Sequence, residues 1–394
     1  MTKAPSIDLD RVRADTPGVT HRTHLNNAGA ALMPQPVIDA VVAHINREGA
    51  IGGYEAAAEA ADRLGRVHDS VGRLVGADAG EIAITENATV AWQRAFQSLE
   101  FIAGDRILTT TAEFAGNYIP LLQLARRTGV SVEVIPDDAS GALDTAALES
   151  MIDERVKLIA ITWLPTNGGL VNPAAEVGRI ANAHAIPYLL DACQAVGQMR
   201  VDVNALGCDM LTATGRKFLR APRGTGFLYV RRAMLERTEP ALLDLFGAVV
   251  DRPGHYAMRA DARRFETWET NYATRLGIGA AADYLLDIGI DAIEARCGFL
   301  AELLRVGLSA LADVTLRDAG TVRSAIISFT VAGMEAADVM QRLAAQAINV
   351  SVSPPVSTPL DAVARRLPPV LRVSPHYYNS EEDIRRFLTV IATL

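Results

Sequence analysis

Lysine is the scarcest charged residue in this chain of 394 residues. Lys3, Lys157 and Lys217 stand against 35 arginines. Cysteine is equally sparse, with Cys193, Cys208 and Cys297 and no CxxC spacing. That excludes a disulfide framework and fits free thiols in a reducing compartment. The seven histidines show no HExxH or paired spacing, so the sequence supports no metal site. No apolar run approaches the roughly 20 residues of a membrane helix. The first residues, MTKAPSIDLDRVRAD, carry charge where a signal peptide needs its apolar region, and the expectation is a cytoplasmic protein without membrane contact. A net charge of −8 opposes a nucleic-acid surface, which needs a basic patch.

What the chain does have is apolar material, 49% of its residues, enough for a large core. Its length argues for two domains. Between residues 80 and 230, seven β-rich runs recur: EIAIT, DRILTTT, VSVEVIP, KLIAIT, PYLLD, CDMLTAT and GTGFLYV. Helix-like stretches such as NYIPLLQLARRTG and PAAEVGRIANAHA separate several of them. This alternation predicts an α/β fold with a mostly parallel sheet covered by helices on both faces. Residues 232–270 lose the rhythm and read as connecting loops before a long helix from about 272. A second α/β pattern follows, ending in a helix that opens at Asn379-Ser380-Glu381-Glu382. The expected partition is a large domain over 21–260 and a smaller C-terminal α/β domain over 261–394. Residues 1–20 are expected to pack with the smaller domain.

In doubly wound sheets, ligands collect at the carboxyl ends of strands. Asp191 closes the apolar run PYLLD. Thr214, Arg216 and Lys217 follow CDMLTAT, while Ala88 and Thr89 open a helix after EIAIT. Glu113 and Phe114 follow ILTTT, and Thr166 and Asn167 follow KLIAITWL. Lysine differs from arginine in that it can lose its proton and attack a carbonyl. Pyridoxal 5'-phosphate would employ this whole set. It needs a lysine amine, a carboxylate at the pyridine nitrogen, N–H groups at a helix start for its phosphate, and a ring to stack on. Lys217, Asp191, the helix start at 88–89 and Phe114 supply those four parts. Arg216 can pair with the phosphate, and its like charge would lower the proton affinity of Lys217. The blander readings are a solvated lysine, an ordinary helix cap and a core aromatic. Tyr54 serves equally as a packing residue at a helix start or as a phenol facing substrate.

The motifs HLNNAGAALMP, ITENATVAW, TAEFAGNY, PTNGGLVNP, LLDACQAVG, TATGRKFLRAPRGTGFLYV, FETWETN and LRVSPHYYN span nearly the whole chain. In order and spacing they resemble the class V aminotransferase and cysteine-desulfurase group of fold type I pyridoxal-phosphate enzymes. The resemblance implies a large domain built on a seven-stranded sheet, a smaller C-terminal domain, and a homodimer with shared active sites. It implies that Lys217 holds the cofactor as an imine and that Asp191 faces the pyridine nitrogen. It places Gln194 near the ring hydroxyl, and Ala88, Thr89, Thr214 and Arg216 at the phosphate. Thr270 would reach the phosphate of the neighbouring subunit. Arg372 would clamp the carboxylate of an amino-acid substrate, with Asn26, Ala28 and Tyr54 on the substrate side. Two departures stand out. Phe114 occupies a position where the desulfurases and lyases usually stack a histidine. Residues 335–375, where a desulfurase carries its nucleophilic cysteine, contain none, which argues against a persulfide relay.

The block TGRKFLRAPRGTGFLYVR and GGYEAAAEAAD also resemble the carbon–sulfur lyases of ergothioneine biosynthesis and isopenicillin N epimerase relatives. The resemblance therefore implies a lyase that eliminates the β-substituent of a cysteine S-conjugate or sulfoxide. The alternatives are amino transfer to a keto acid and epimerisation. A regulatory, non-catalytic role would need a DNA-binding module for which the chain has no spare length.

Overall fold

The computed structural model describes residues 7–394. Lys3 and the rest of residues 1–6 lie outside them. The seven β-rich runs all become strands, and they form one sheet: β1 (Ile82–Thr85), β2 (Arg106–Thr110), β3 (Ser131–Ile135), β4 (Val156–Thr162), β5 (Tyr188–Asp191), β6 (Met210–Thr214) and β7 (Gly226–Val230). Their order is β1-β7-β6-β5-β4-β2-β3, with β7 antiparallel to both neighbours and the other pairs parallel. Both faces are buried except at the edge strand β3, as the alternation along the central strands shows. Ile159 and Ile161 join one apolar cluster while Leu158 and Ala160 join another, and Leu190 and Leu189 divide in the same way.

Helices α1 (Gln35–Ile51) and α2 (Ala61–Val75) precede the sheet, and α3 (Ala88–Gln97), α4 (Ala115–Thr128) and α5 (Ala174–Ala183) interleave with its strands. The stretch 232–270, expected as loops, contains a two-stranded hairpin: β8 (Ala248–Arg252) and β9 (His255–Met258). Pro253 and Gly254 form its turn, with Gly254 at φ 76°, the left-handed conformation glycine adopts freely. The hairpin escaped the sequence pattern because Val249 and Val250 are both exposed, so no alternation marks the strand.

Beyond it, α6 (Tyr272–Ile288) packs on α1 and α2, and α7 (Ile290–Ser309) runs on from Gly289. A four-stranded antiparallel sheet then forms from β10 (Val314–Leu316), β11 (Ile327–Val331), β12 (Ser351–Ser353) and β13 (Val370–Val373), in the order β10-β11-β13-β12. Helices α8 (Ala336–Ala345) and α9 (Glu381–Ile391) complete this unit. Ser380 caps α9 in a capping box with Asp383. The early chain reaches into this region: Thr23 and His24 pair with Ile348 and Asn349, and Arg13 donates to Asp383 at 3.0 Å. Among the described residues, no helix is long and apolar enough to cross a membrane.

Candidate active site

Six of the seven strands of the large sheet run the same way, so their carboxyl ends share one edge. Thr85, Thr110, Thr162, Asp191 and Thr214 are the terminal residues there. Asp191 is buried at the end of β5, and both of its oxygens are occupied. The Cys193 N–H donates to Oδ1 at 2.8 Å, and Asn117 Nδ2 donates to Oδ2 at 2.8 Å. The loop after β6 carries Arg216 and Lys217. It lies against the DACQAVG segment because Gly197, at φ 97°, has no side chain. A Cβ there would sit 2.3 Å from the carbonyl of Phe218.

Lys217 is half-buried, and its proton affinity is lowered from the ordinary lysine value. Loss of hydration is the main cause. The like charges of Arg216 and Arg372 add to it, while Cys193 and Asp191 oppose it. The direction expected from Arg216 is therefore present, but burial outweighs it. The far side of the loop is anchored by Arg220, which is fully buried at φ 61°. Its guanidinium donates to the Leu32 carbonyl at 2.7 Å and to Thr16 Oγ1 at 2.7 Å, and it lies 4.4 Å from the centroid of Tyr378.

The start of α3 faces the same edge. Asn87 caps it through Val90 N–H, leaving Ala88 and Thr89 in the first turn, where helical N–H groups have no intrahelical acceptor. Gly226 lets β7 pass close by. A Cβ there would meet the Asn87 carbonyl carbon at 2.7 Å and Ala88 N at 2.9 Å. Thr89 is exposed, Ala88 is partly so, and Thr214 is buried at the end of β6.

Arg372 projects from β13 of the second sheet across to the first. Nη1 donates to Thr166 Oγ1, Nη2 approaches Asn26 Oδ1 at 3.4 Å, and Nε has no partner although it is buried. Burial lowers its proton affinity to about 10, with Arg216 as a second cause. Arg216 donates to the carbonyl of Gly29. The segment 26–31 is thus held between the two halves. Asn26 bridges to Ser374, and the Ala28 carbonyl accepts from Gln194 Nε2 at 3.2 Å. Gln194 Oε1 is buried without a partner.

Phe114 stands at the N-cap of α4 and is 37% exposed, open enough for a ligand to lie against it. Its neighbour Glu113 is buried, and burial lifts its proton affinity to about 7. Asn117 donates to Glu113 Oε1 at 2.9 Å as well as to Asp191. Sequence reasoning noticed Glu113 at a strand end but gave it no role, and it missed Asn117 altogether. The available signal was the four-residue spacing, which puts neighbouring residues on one side of a helical turn.

Three other expected site residues have different surroundings within one chain. Asn167 is buried but spends its amide on the second sheet's loop: Nδ2 donates to Thr358 Oγ1 at 2.9 Å, and Oδ1 accepts from Ser353. Tyr54, 75% exposed, and Thr270 line a cavity of about 440 Å³ with Glu48, Glu269 and Tyr272, and Thr270 also lines a small cavity with Thr85, Glu86 and Thr225 at the strand-end edge. A larger cavity, about 1130 Å³, opens beside Val156 and Pro187, at the opposite strand ends, and contains none of the expected site residues.

The cluster's donors suit an anionic ligand. Arg216 and Arg372 lower the proton affinity of Lys217, and Arg372 Nε is a buried donor without an acceptor, whereas Gln194 Oε1 is a buried acceptor without a donor. Pyridoxal phosphate fits this set: an amine for its carbonyl, a buried carboxylate, a helix start and an open aromatic ring.

Comparison with known proteins gives a consistent picture. The family described as Aminotransferase class-V matches residues 23–387. A probable cysteine desulfurase from Methanothermobacter thermautotrophicus is 30% identical over 381 residues, 95% of each chain. A cysteine desulfurase from Yersinia pestis (strain Pestoides F) is 32% identical over 400 residues, covering 97% of each. Among solved structures, the apo cysteine desulfurase from Thermococcus onnurineus NA1 superposes with a TM-score of 0.90 at 26% identity, over 98% of both chains.

Proposed function

The chain belongs to the class V aminotransferase family of fold type I enzymes, and on that premise we propose that it is a pyridoxal-phosphate-dependent lyase that cleaves the carbon–sulfur bond of a cysteine-derived amino acid. The observation that carries the reading is the convergence of Lys217, Asp191, the α3 start and Arg372 at one strand-end edge. Lys217 and Asp191 would hold the cofactor's carbonyl carbon and ring nitrogen. Ala88, Thr89, Thr214 and Arg216 would hold its phosphate, Gln194 its ring hydroxyl and Phe114 its face. Thr270 and Tyr54 would join the site of the partner in a homodimer.

When bound there, pyridoxal phosphate supplies an electron sink for the substrate's α-carbon. Arg372 binds the substrate carboxylate through the donors it has free, fixing which α-substituent faces Lys217. Lys217 Nζ, whose proton affinity is lowered foremost by burial, would take the α-proton. Phe114 neither gives nor takes a proton, so Lys217 is the proton-carrying group at this ring.

The fate of the sulfur distinguishes this enzyme from a persulfide relay. Cys208 and Cys297 are buried, and burial pushes both thiols up to about 12; the Cys193 thiol is also raised, foremost by burial. None presents a thiolate to accept sulfur. We therefore assign the sulfur to the departing product. A cysteine S-conjugate and water yield a thiol, pyruvate and ammonium. The test is to incubate the reconstituted enzyme with a panel of cysteine S-conjugates and with free cysteine, and to measure pyruvate and alanine. Pyruvate and thiol in equal amounts support elimination. Alanine from free cysteine would establish sulfur transfer instead, and amino transfer to a keto acid without pyruvate would establish an aminotransferase.

A further inference from the structure

Behind Asp191 lies a second buried carboxylate that the proposed chemistry does not use. Glu113 follows β2 and accepts from five donors. Thr162 N–H reaches Oε2 at 2.8 Å and Thr162 Oγ1 reaches Oε1 at 2.6 Å. Phe114 N–H lies at 3.1 Å, Thr109 Oγ1 at 3.2 Å and Asn117 Nδ2 at 2.9 Å. The Asn117 amide carries two hydrogens. One goes to Glu113 and the other, at 2.8 Å, to Asp191 Oδ2. A single neutral side chain thus bridges two buried acids from different strand ends. Glu113 is also tied to Phe114, the aromatic residue at the same edge, through that residue's N–H.

Such an arrangement is costly unless it does something. Two carboxylates in a dry site repel, and a carboxylate without a nearby cation bears its own desolvation. The charged group facing Glu113 is Asp191, and β2 and β4 offer the neutral Thr109 and Thr162. Asp191 in turn acts electrostatically on Lys217 and on the Cys193 thiol. The charge balance beneath the site therefore depends on whether Glu113 carries a proton.

We infer that Glu113 and Asn117 are positioning residues: Asn117 fixes the orientation of Asp191, and the charge state of Glu113 sets the net charge that the cofactor's ring nitrogen meets. This rests on the cofactor reading of the site. The geometry explains why Asp191 has one oxygen committed to Asn117 and the other to the Cys193 N–H, a two-point hold that leaves its carboxylate no rotational freedom. Burial and the charge of Asp191 both favour the protonated form of Glu113, whose proton affinity is lifted to about 7 against the pull of Thr162 and Asn117. Near neutrality the unit Glu113–Asn117–Asp191 can therefore hold one negative charge or two.

The test uses Glu113→Gln, which removes the titration, and Asn117→Ala, which removes the bridge, each as full-length protein with and without pyridoxal phosphate. In the apoprotein, a raised folded-state proton affinity stabilises fully at acid pH and is lost as pH rises through about 7. The wild type should lose a few degrees of unfolding midpoint between pH 5 and 8 relative to Glu113→Gln. In the loaded enzyme, the wild-type cofactor absorbance should change with a midpoint near that pH, and Glu113→Gln should lack the change. Asn117→Ala should weaken cofactor binding about tenfold, the scale of one hydrogen bond to a charged group. If Glu113→Gln does not fold, Asn117→Ala carries the test through the same spectrum, because it deletes a donor and reverses none. Loaded variants with wild-type spectra at every pH would overturn the inference. A wild type that takes up no cofactor would overturn the cofactor reading instead, and the apoprotein comparison would still decide whether Glu113 titrates.

Discussion

Arg372 makes two opposite demands on the chain, and replacing it should separate them. Arg372 is 8% exposed, and burial lowers its proton affinity to about 10 while it remains charged at neutral pH. A drop of that size corresponds to about 3 kcal/mol of unfavourable burial in the folded protein. The contacts to Thr166 and Asn26 return part of it, roughly 1 kcal/mol each. In Arg372→Ala the apoprotein should therefore be more stable than wild type by roughly 1 kcal/mol, visible as a rise of about 1 °C in unfolding midpoint. Catalysis should move the other way. Removing one partner of a buried charge pair costs about 2–5 kcal/mol, so KM for an α-amino acid should rise roughly 30-fold or more. The same reaction on an analogue lacking the carboxylate should be unchanged. Thermal unfolding of the apoprotein and paired kinetics on the two substrates provide the measurements. A variant that is less stable than wild type, or one that keeps its preference for the carboxylate, would refute the role assigned to this side chain.

Two further outcomes follow from the geometry. Phe114→Ala should weaken cofactor affinity by about 3- to 10-fold, the range of one aromatic contact, measured by fluorescence during reconstitution; an unchanged affinity would show that the ring does not stack. His24 is buried, with Nε2 at 2.9 Å from the Ala30 carbonyl, and burial is the first cause of a proton affinity lowered to about 4. A histidine lowered in this way is protonated in the unfolded chain before the folded one, so stability is lost as pH falls from about 6.5 towards 4. His24→Asn apoprotein should show a shallower fall over that window than wild type, and an identical slope would remove His24 from the acid sensitivity.

The large sheet was legible because all of its strands but the edge strand β3 are buried on both faces, which writes apolar runs into the sequence, and because βαβ units punctuate those runs with helices. The hairpin at 248–258 was not, since its valines face outward and its Pro-Gly turn reads like any loop. Lys217 and Asp191 were legible for a related reason. Asp191 is a polar residue at the end of an apolar strand, Lys217 follows a buried strand by three residues, and the scarcity of lysine sharpened the contrast. Asn167 illustrates the limit. Its strand-end position predicts a ligand contact, yet its amide is taken by Ser353 and Thr358, residues nearly 190 positions away that no local pattern connects to it. Asn117 was invisible for the converse reason. An asparagine in a first helical turn ordinarily satisfies the backbone or water, and nothing in its neighbourhood distinguishes one that joins two acids. What identifies it is the burial of both partners, a property that exists only once β2, β4 and β5 lie side by side. Lys217, Asp191 and Glu113 are thus readable from strand ends and the loops after them, whereas the Asn117 bridge that couples the two acids is created by packing, and there a sequence-only account of pH dependence would go wrong.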